Sequence, residues 1–212
     1  MLDRYRFIAI EGPIGTGKTA LARELAARLN ARLVADAPEE NPYLTRYYQD
    51  MPRYALPTQL SFLMQRLRHM EAIQATDGSE QRVISDFVFG KEGIFAEWVL
   101  GPTELPLYQD IARRCVPARL PTPDLVVYLQ ASPDLLAKRI AERGLAYEAP
   151  ITEDYLRPLV DAYSRYFHAY EASPLLIVNA AQLDFAKRPQ DVDWLMNGIA
   201  NLRGQREFIN LG

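Results

Sequence analysis

Eight residues, Gly12-Pro13-Ile14-Gly15-Thr16-Gly17-Lys18-Thr19, constrain this chain more than any other segment. They satisfy G-x-x-x-x-G-K-[ST]. They also stand between a short apolar run at 6–11 (RFIAIE) and an Ala/Leu segment at 20–30 (ALARELAARLN), where Leu21, Leu25 and Leu29 recur every four residues. That context predicts strand, loop, helix, which turns a string match into a structural expectation. The glycines let the backbone curl with its N–H groups inward, and the helix N-terminus adds partial positive charge. Lys18 reaches the β- and γ-phosphates, and the Thr19 hydroxyl is placed for Mg²⁺. The loop therefore predicts binding of a nucleoside triphosphate, and it leaves open what receives the phosphate.

Four further apolar runs share the length and character of the first: 32–36 (RLVAD), 82–86 (RVISD), 124–130 (DLVVYLQ) and 174–180 (PLLIVNA). Their apolar residues are continuous rather than alternating, as in strands buried on both faces of a parallel sheet. Helical spacing fills the gaps. Leu60, Leu63, Leu67 and Met70 form one stripe within 58–73, and Tyr155, Tyr163, Tyr166 and Phe167 mark 155–169. The order reads β-α-β-αα-β-αα-β-α-β-α, an α/β arrangement of three layers in one domain spanning 1–212. Residues 117–123 (PARLPTP) read as a rigid connector, and 202–212 as a loosely ordered tail.

Composition narrows the function classes. Hydrophobic residues make up 49% and charged residues 24% of the 212, as in a soluble globular protein. The net charge of −3 lacks the basic excess of a wholesale nucleic-acid binder. The lone cysteine, Cys115, excludes an intramolecular disulfide and reads as a buried or half-buried structural thiol. The start, MLDRYRFIAIEG, is neither a signal peptide nor a membrane span, so a cytoplasmic location without membrane partners is expected.

Three runs end in an acid, Glu11, Asp36 and Asp86, at the strand ends where open α/β sheets bind ligands. Asp36 precedes Ala37-Pro38, and two readings stand open for it. It is either a base that accepts a proton from an acceptor hydroxyl during phosphoryl transfer, or the N-cap of a following helix. Asp86 reads as a holder of Mg²⁺, with a structural bond to the phosphate-loop backbone as its alternative. Glu11 reads as a residue that orients the loop. In 135–144 (LLAKRIAERG), Arg139 and Arg143 share one helix face and Gly144 follows as a C-cap. They predict a lid at about 139–150 that closes over the triphosphate; the bland alternative is a solvated face with Lys138 and Glu142.

In order and spacing, FIAIEGPIGTGKT, ENPYL, QLSFLMQR, SDFVFGKEGIFAE and RIAERG together resemble the deoxynucleoside kinase family, most closely its bacterial deoxyguanosine kinase branch. The resemblance implies a three-layer P-loop kinase fold: a five-stranded parallel sheet with helices on both faces and a short arginine-bearing lid. It implies ATP and Mg²⁺ as cofactors, a purine deoxynucleoside as substrate, and a homodimer built on helix faces such as 58–73 or 95–100. Asp36, where the family usually has Glu, becomes the base toward the sugar 5′-hydroxyl, with Glu39 as fallback. Lys18, Arg139 and Arg143 act on the phosphates, and Thr19 and Asp86 hold the metal. Gln59 meets the nucleobase edge, Arg66 lines the base pocket, and Tyr43 and Phe62 wall it. Glu148 matches an acid at the sugar 3′-hydroxyl, and Asp184 lies in NAAQLDF, similar to a loop around the donor adenine.

Departures matter as much. Many members carry acid-Arg-Ser after the third strand; here the sequence is Asp86-Phe87-Val88, with Lys91 five positions after the acid, as in the deoxyguanosine kinase branch. The third lid arginine is replaced by Leu145. Three alternatives remain, the first a deoxyadenosine or broad deoxynucleoside kinase. A nucleoside monophosphate kinase shares loop and lid but needs extra positive charge for its acceptor, and a nucleotide-dependent switch has no small acceptor at all. A glutamine amide by itself suits guanine or adenine.

Overall fold

The computed structural model describes residue 2 and residues 4–76 and 81–211. Its elements are β1 (Phe7–Glu11), α1 (Lys18–Arg28), β2 (Arg32–Val34), α2 (Leu44–Gln49), α3 (Met51–Gln74), β3 (Val83–Ser85), α4 (Lys91–Val99), α5 (Glu104–Cys115), β4 (Leu125–Gln130), α6 (Pro133–Arg143), α7 (Glu153–His168), β5 (Leu175–Asn179), α8 (Pro189–Asn201) and β6 (Arg206–Ile209). The strands form one sheet in the order β2-β3-β1-β4-β5-β6, and every neighbouring pair is parallel. β1 pairs with β3 on one side (Ile8 beside Ile84) and β4 on the other (Ile8 beside Leu125). The strand order reverses there, which opens a crevice beyond the carboxyl end of β1.

Strand side chains alternate across the sheet. Ile8, Ile10, Val127 and Leu129 pack with Leu21 and Leu25 of α1 and with Leu195 and Ile199 of α8. Phe7, Ala9, Val126 and Tyr128 pack on the opposite face against α3, α4, α6 and α7. There the Tyr128 and Phe167 rings stack with centroids 4.2 Å apart. The three expected layers are present.

Several expectations need correction. The sheet has six strands, not five. Residues 202–212, expected to be loose, contain β6, which pairs in parallel with β5. Arg206-Glu207-Phe208-Ile209 has no buried apolar run, and Phe208 is 59% exposed. Its backbone ladder fixes it, together with the Arg206 guanidinium, which donates to the carbonyls of His168 (2.7 Å) and Tyr170 (2.6 Å). Two helices, α6 and α7, lie between β4 and β5 where one was expected. Cys115 is exposed, because the last turn of α5 points outward and Tyr108 alone of that helix is buried. The stripes at 58–73 and 95–100 are largely consumed inside the chain: Leu63, Met70, Ala96 and Leu100 are all buried. Among the described residues no helix is long and apolar enough to cross a membrane.

Core and edge should respond differently to truncation. Leu25→Ala, in a fully covered position, is expected to lower unfolding free energy by about 2–5 kcal/mol. Phe208→Ala should stay within about 0.5 kcal/mol. Urea unfolding monitored by circular dichroism measures both.

Candidate active site

The fully buried Glu11 carboxylate is where the site begins. It accepts from the Gly12 N–H (2.9 Å), the Val88 N–H (2.9 Å) and the Tyr163 hydroxyl (3.3 Å). It thereby ties the phosphate loop to the turn after β3 and to α7, the loop-orienting role expected of it. A Cβ on Gly12 would lie 2.5 Å from the Leu129 carbonyl oxygen, so only glycine lets the chain leave β1 here. Gly15 has φ of +88°, the left-handed region that other residues avoid. Thr16 donates to the Pro13 carbonyl (2.8 Å), as does the Lys18 ammonium (3.0 Å). Burial, reinforced by repulsion from Lys91, pushes the Lys18 pKa down to about 8.

Beside the loop, the Thr19 hydroxyl donates to one Asp86 oxygen (2.5 Å), and the other accepts the Asp36 N–H (2.7 Å). Asp86 thus bonds the segment after β2, not the phosphate-loop backbone. Thr19 and Asp86 present adjacent hard oxygen atoms. Among the described residues no cluster of three or more His, Cys, Asp or Glu surrounds them. That donor set fits Mg²⁺, which commonly takes one or two protein oxygens and completes its shell with phosphates and water.

Asp36 caps no helix; the turn Pro38–Glu40 begins at Ala37 without a side-chain cap. Its carboxylate takes the Arg66 fork (3.2 and 2.9 Å) and the Lys91 ammonium (2.9 Å). Burial alone would raise its pKa, but these two cations hold it well below the usual carboxylate range. Arg66 also pairs with Glu92, which accepts from the Tyr108 hydroxyl at 2.8 Å.

All of this opens on one cavity of about 760 Å³, the size of a small-molecule site. Ile14 to Thr19 line its donor end; Asp36, Glu39, Gln59, Phe62, Arg66, Asp86 and Lys91 line the other. Helical spacing puts Gln59, Phe62 and Arg66 on one face of α3. The amide oxygen of Gln59 and the hydroxyl of Thr58 are buried with no protein partner. Gly12, Pro13 and Tyr43 do not line the cavity; Tyr43 is 36% exposed at the start of α2.

The lid arginines are engaged. One Arg139 nitrogen donates to the carbonyls of Ala180 (2.9 Å) and Leu183 (2.8 Å), which holds the loop after β5. Arg143 pairs in a fork with buried Glu148 (2.9 and 2.5 Å). Asp184 sits at the cavity mouth and accepts the Ala186 and Lys187 N–H groups, each at 3.2 Å. Sequence reasoning missed the tyrosine wall of Tyr47, Tyr48, Tyr147, Tyr155 and Tyr163. Tyr48 and Tyr147 stack at 6.4 Å, and the Tyr47 and Tyr155 hydroxyls lie 3.4 Å apart. Burial raises the pKa of each of these five phenols, so all remain neutral donors at neutral pH. The crowding of nine of the twelve tyrosines into 43–54 and 147–170 was the available signal.

The Lys18 pKa gives a pH prediction. Bound phosphates favour the ammonium form, so the complex restores a higher pKa. Affinity for a nucleoside triphosphate should weaken as pH rises through about 8. Binding at pH values just above this should take up a proton, measured by titration calorimetry in buffers of different ionisation enthalpy.

Comparison with known proteins agrees with this geometry. The family model described as deoxynucleoside kinase matches residues 8–203. The chain is 34% identical over 206 residues to a deoxyguanosine kinase of Bacillus subtilis, covering 92% of this chain and 97% of that one. It is 33% identical over 214 residues to a deoxyadenosine kinase of Lactobacillus acidophilus, covering 95% and 92%. The solved deoxyadenosine kinase from M. mycoides with bound dATP superposes with a TM-score of 0.80 at 25% identity, over 92% of this chain and 100% of that one. A phosphate loop that shares one cavity with the α3 face and the tyrosine wall, in a chain matched along nearly its whole length, places this protein in the deoxynucleoside kinase family.

Proposed function

We propose that this chain transfers the γ-phosphoryl group of ATP, with Mg²⁺, to the 5′-hydroxyl of a purine deoxynucleoside, deoxyguanosine first, as a single kinase domain. The observation that carries the reading is the buried, unpartnered Gln59 amide oxygen in the same cavity as the phosphate loop. An unmet acceptor of that kind costs about 1–3 kcal/mol, and a base edge removes the cost. Lys18 and the lid arginines act on the phosphates, Thr19 and Asp86 hold the metal, and Asp36 faces the acceptor hydroxyl with Glu39 as its nearby alternative. Phe62 and Arg66 border the base, and Glu148, beside Tyr147, meets the sugar 3′-hydroxyl. Asp184 borders the donor base. The Lys91 position and the Bacillus relative support guanine; the Lactobacillus relative supports adenine at nearly equal identity. A homodimer belongs to this reading, with Met64 of α3 and Leu107 of α5 as exposed apolar residues for it, and light scattering tests it.

A Mg-ATP transfer assay with deoxyguanosine, deoxyadenosine, deoxycytidine, thymidine, guanosine and dGMP decides the reading. Fastest turnover of deoxyguanosine is expected, and a deoxyadenosine preference reverses the base choice. Turnover of dGMP alone, or ATP hydrolysis alone, ends it.

Asp36→Asn is expected to lower kcat on the order of 10²–10⁴-fold, the range for a positioned proton acceptor. Gln59→Ala should raise the acceptor KM about 5- to 150-fold, matching one lost buried hydrogen bond. Steady-state kinetics on folded variants reads both.

A further inference from the structure

The Oδ2 oxygen of Asp36 is obstructed as it stands. It accepts from both Arg66 and Lys91, and Oδ1 accepts from Arg66 again. A carboxylate offers about four acceptor directions, so three are filled and Oδ2 has none left for an acceptor hydroxyl. One of the two cations must yield before that oxygen can take a proton.

The two are not equally free. Arg66 is fixed from two sides: its guanidinium spans Asp36 and Glu92, and Glu92 is in turn held by Tyr108. The Lys91 ammonium has Asp36 as its sole hydrogen-bond partner among the described residues and lies 5.9 Å from the centroid of the Phe95 ring. Its flexible stem lets the ammonium swing, whereas the planar Arg66 fork is pinned. A chain of contacts links Lys91 to the phosphate loop: its ammonium bonds Asp36, the Asp36 N–H bonds Asp86, and Asp86 accepts from Thr19. Lys18 and Lys91 line the same cavity, and a polyphosphate bound there relieves the repulsion between their ammonium groups.

We propose that Lys91 is a catalytic residue that leaves Asp36 for the transferring phosphoryl group, and that its departure exposes Asp36 Oδ2 to the acceptor hydroxyl. This rests on the kinase reading above. Donor arrival and exposure of the base then become one event. A lone pair of the acceptor oxygen forms the new bond to γ-phosphorus, and the bond from phosphorus to the bridging oxygen breaks with its electron pair staying on ADP. The acceptor proton passes to Asp36 Oδ2 and from there to water. Charge grows on the transferring group and the bridging oxygen, where a second ammonium is most useful. The adjacent Phe87 is apolar and fully buried, so it brings no charge to this point.

The test compares wild type with Lys91→Met and Lys91→Arg, with thermal unfolding to verify the fold. Lys91→Met is expected to lower kcat about 10²- to 10³-fold, with the ATP dissociation constant changed less than about tenfold. Lys91→Arg should regain at least tenfold of that loss. Should Lys91→Met fail to fold, Lys91→Cys in a Cys115→Ser background is treated with bromoethylamine, which rebuilds an ammonium at the same reach. Recovery of kcat on aminoethylation supports the proposal. A kcat within threefold of wild type overturns it, as does a loss confined to acceptor KM, or a loss that neither arginine nor aminoethylation restores. Absence of turnover by wild type with every deoxynucleoside would instead sink the kinase reading.

Discussion

Everything at the site depends on one buried carboxylate at the end of the central strand. Glu11 has no solvent access, and it holds the first amide of the phosphate loop, the turn after β3 and a hydroxyl of α7. A buried charge is tolerated only when hydrogen bonds replace its lost water. The three segments that supply those bonds are therefore obliged to meet at this point. That requirement fixes the phosphate loop against the turn after β3 and against α7.

A second electrostatic layer lies above it. Asp36, Arg66, Lys91 and Glu92 are poorly exposed, and their charges are matched by one another rather than by solvent; Asp86 beside them is held by the Asp36 N–H and the Thr19 hydroxyl. Buried ion pairs of this kind add little net stability, because desolvation offsets attraction. Their effect is positional. Arg66 fixes α3 against α4 and the segment after β2, which holds the Asp36 carboxylate close to Asp86 and Thr19. The lid works similarly: Arg139 orders the loop after β5, and Arg143 holds Glu148 inside the cavity.

Much of this was legible in the chain. The phosphate loop, its flanking strand and helix, and the acids after the second and third strands follow from local spacing, and each lies where that spacing implied. Strands β1, β3, β4 and β5 were legible because burial on both faces leaves continuous runs, and β2, the edge strand, because its short apolar run ends at buried Val34. β6 was not, since Arg206-Glu207-Phe208-Ile209 is held by backbone pairing and an arginine reaching back to α7, neither of which leaves a hydrophobic pattern. The tyrosine wall was missed for a related reason. Tyr47 and Tyr155 meet across 108 positions, and an aromatic at helical spacing looks like core until its hydroxyl is seen to face a cavity.

By itself, the sequence determined the α/β layering, the triphosphate loop and the residue types available to act on an acceptor. These depend on neighbours within a few positions, through glycine geometry, helix period and strand burial. Only the tertiary structure decided which charges cancel. Asp36, Arg66 and Lys91 are separated by 30 and 55 positions from the first to the others, so no local pattern records that both cations converge on one carboxylate. A side chain's chemistry is set by what desolvates and pairs it, and in a parallel sheet those partners arrive from the ends of strands far apart along the chain.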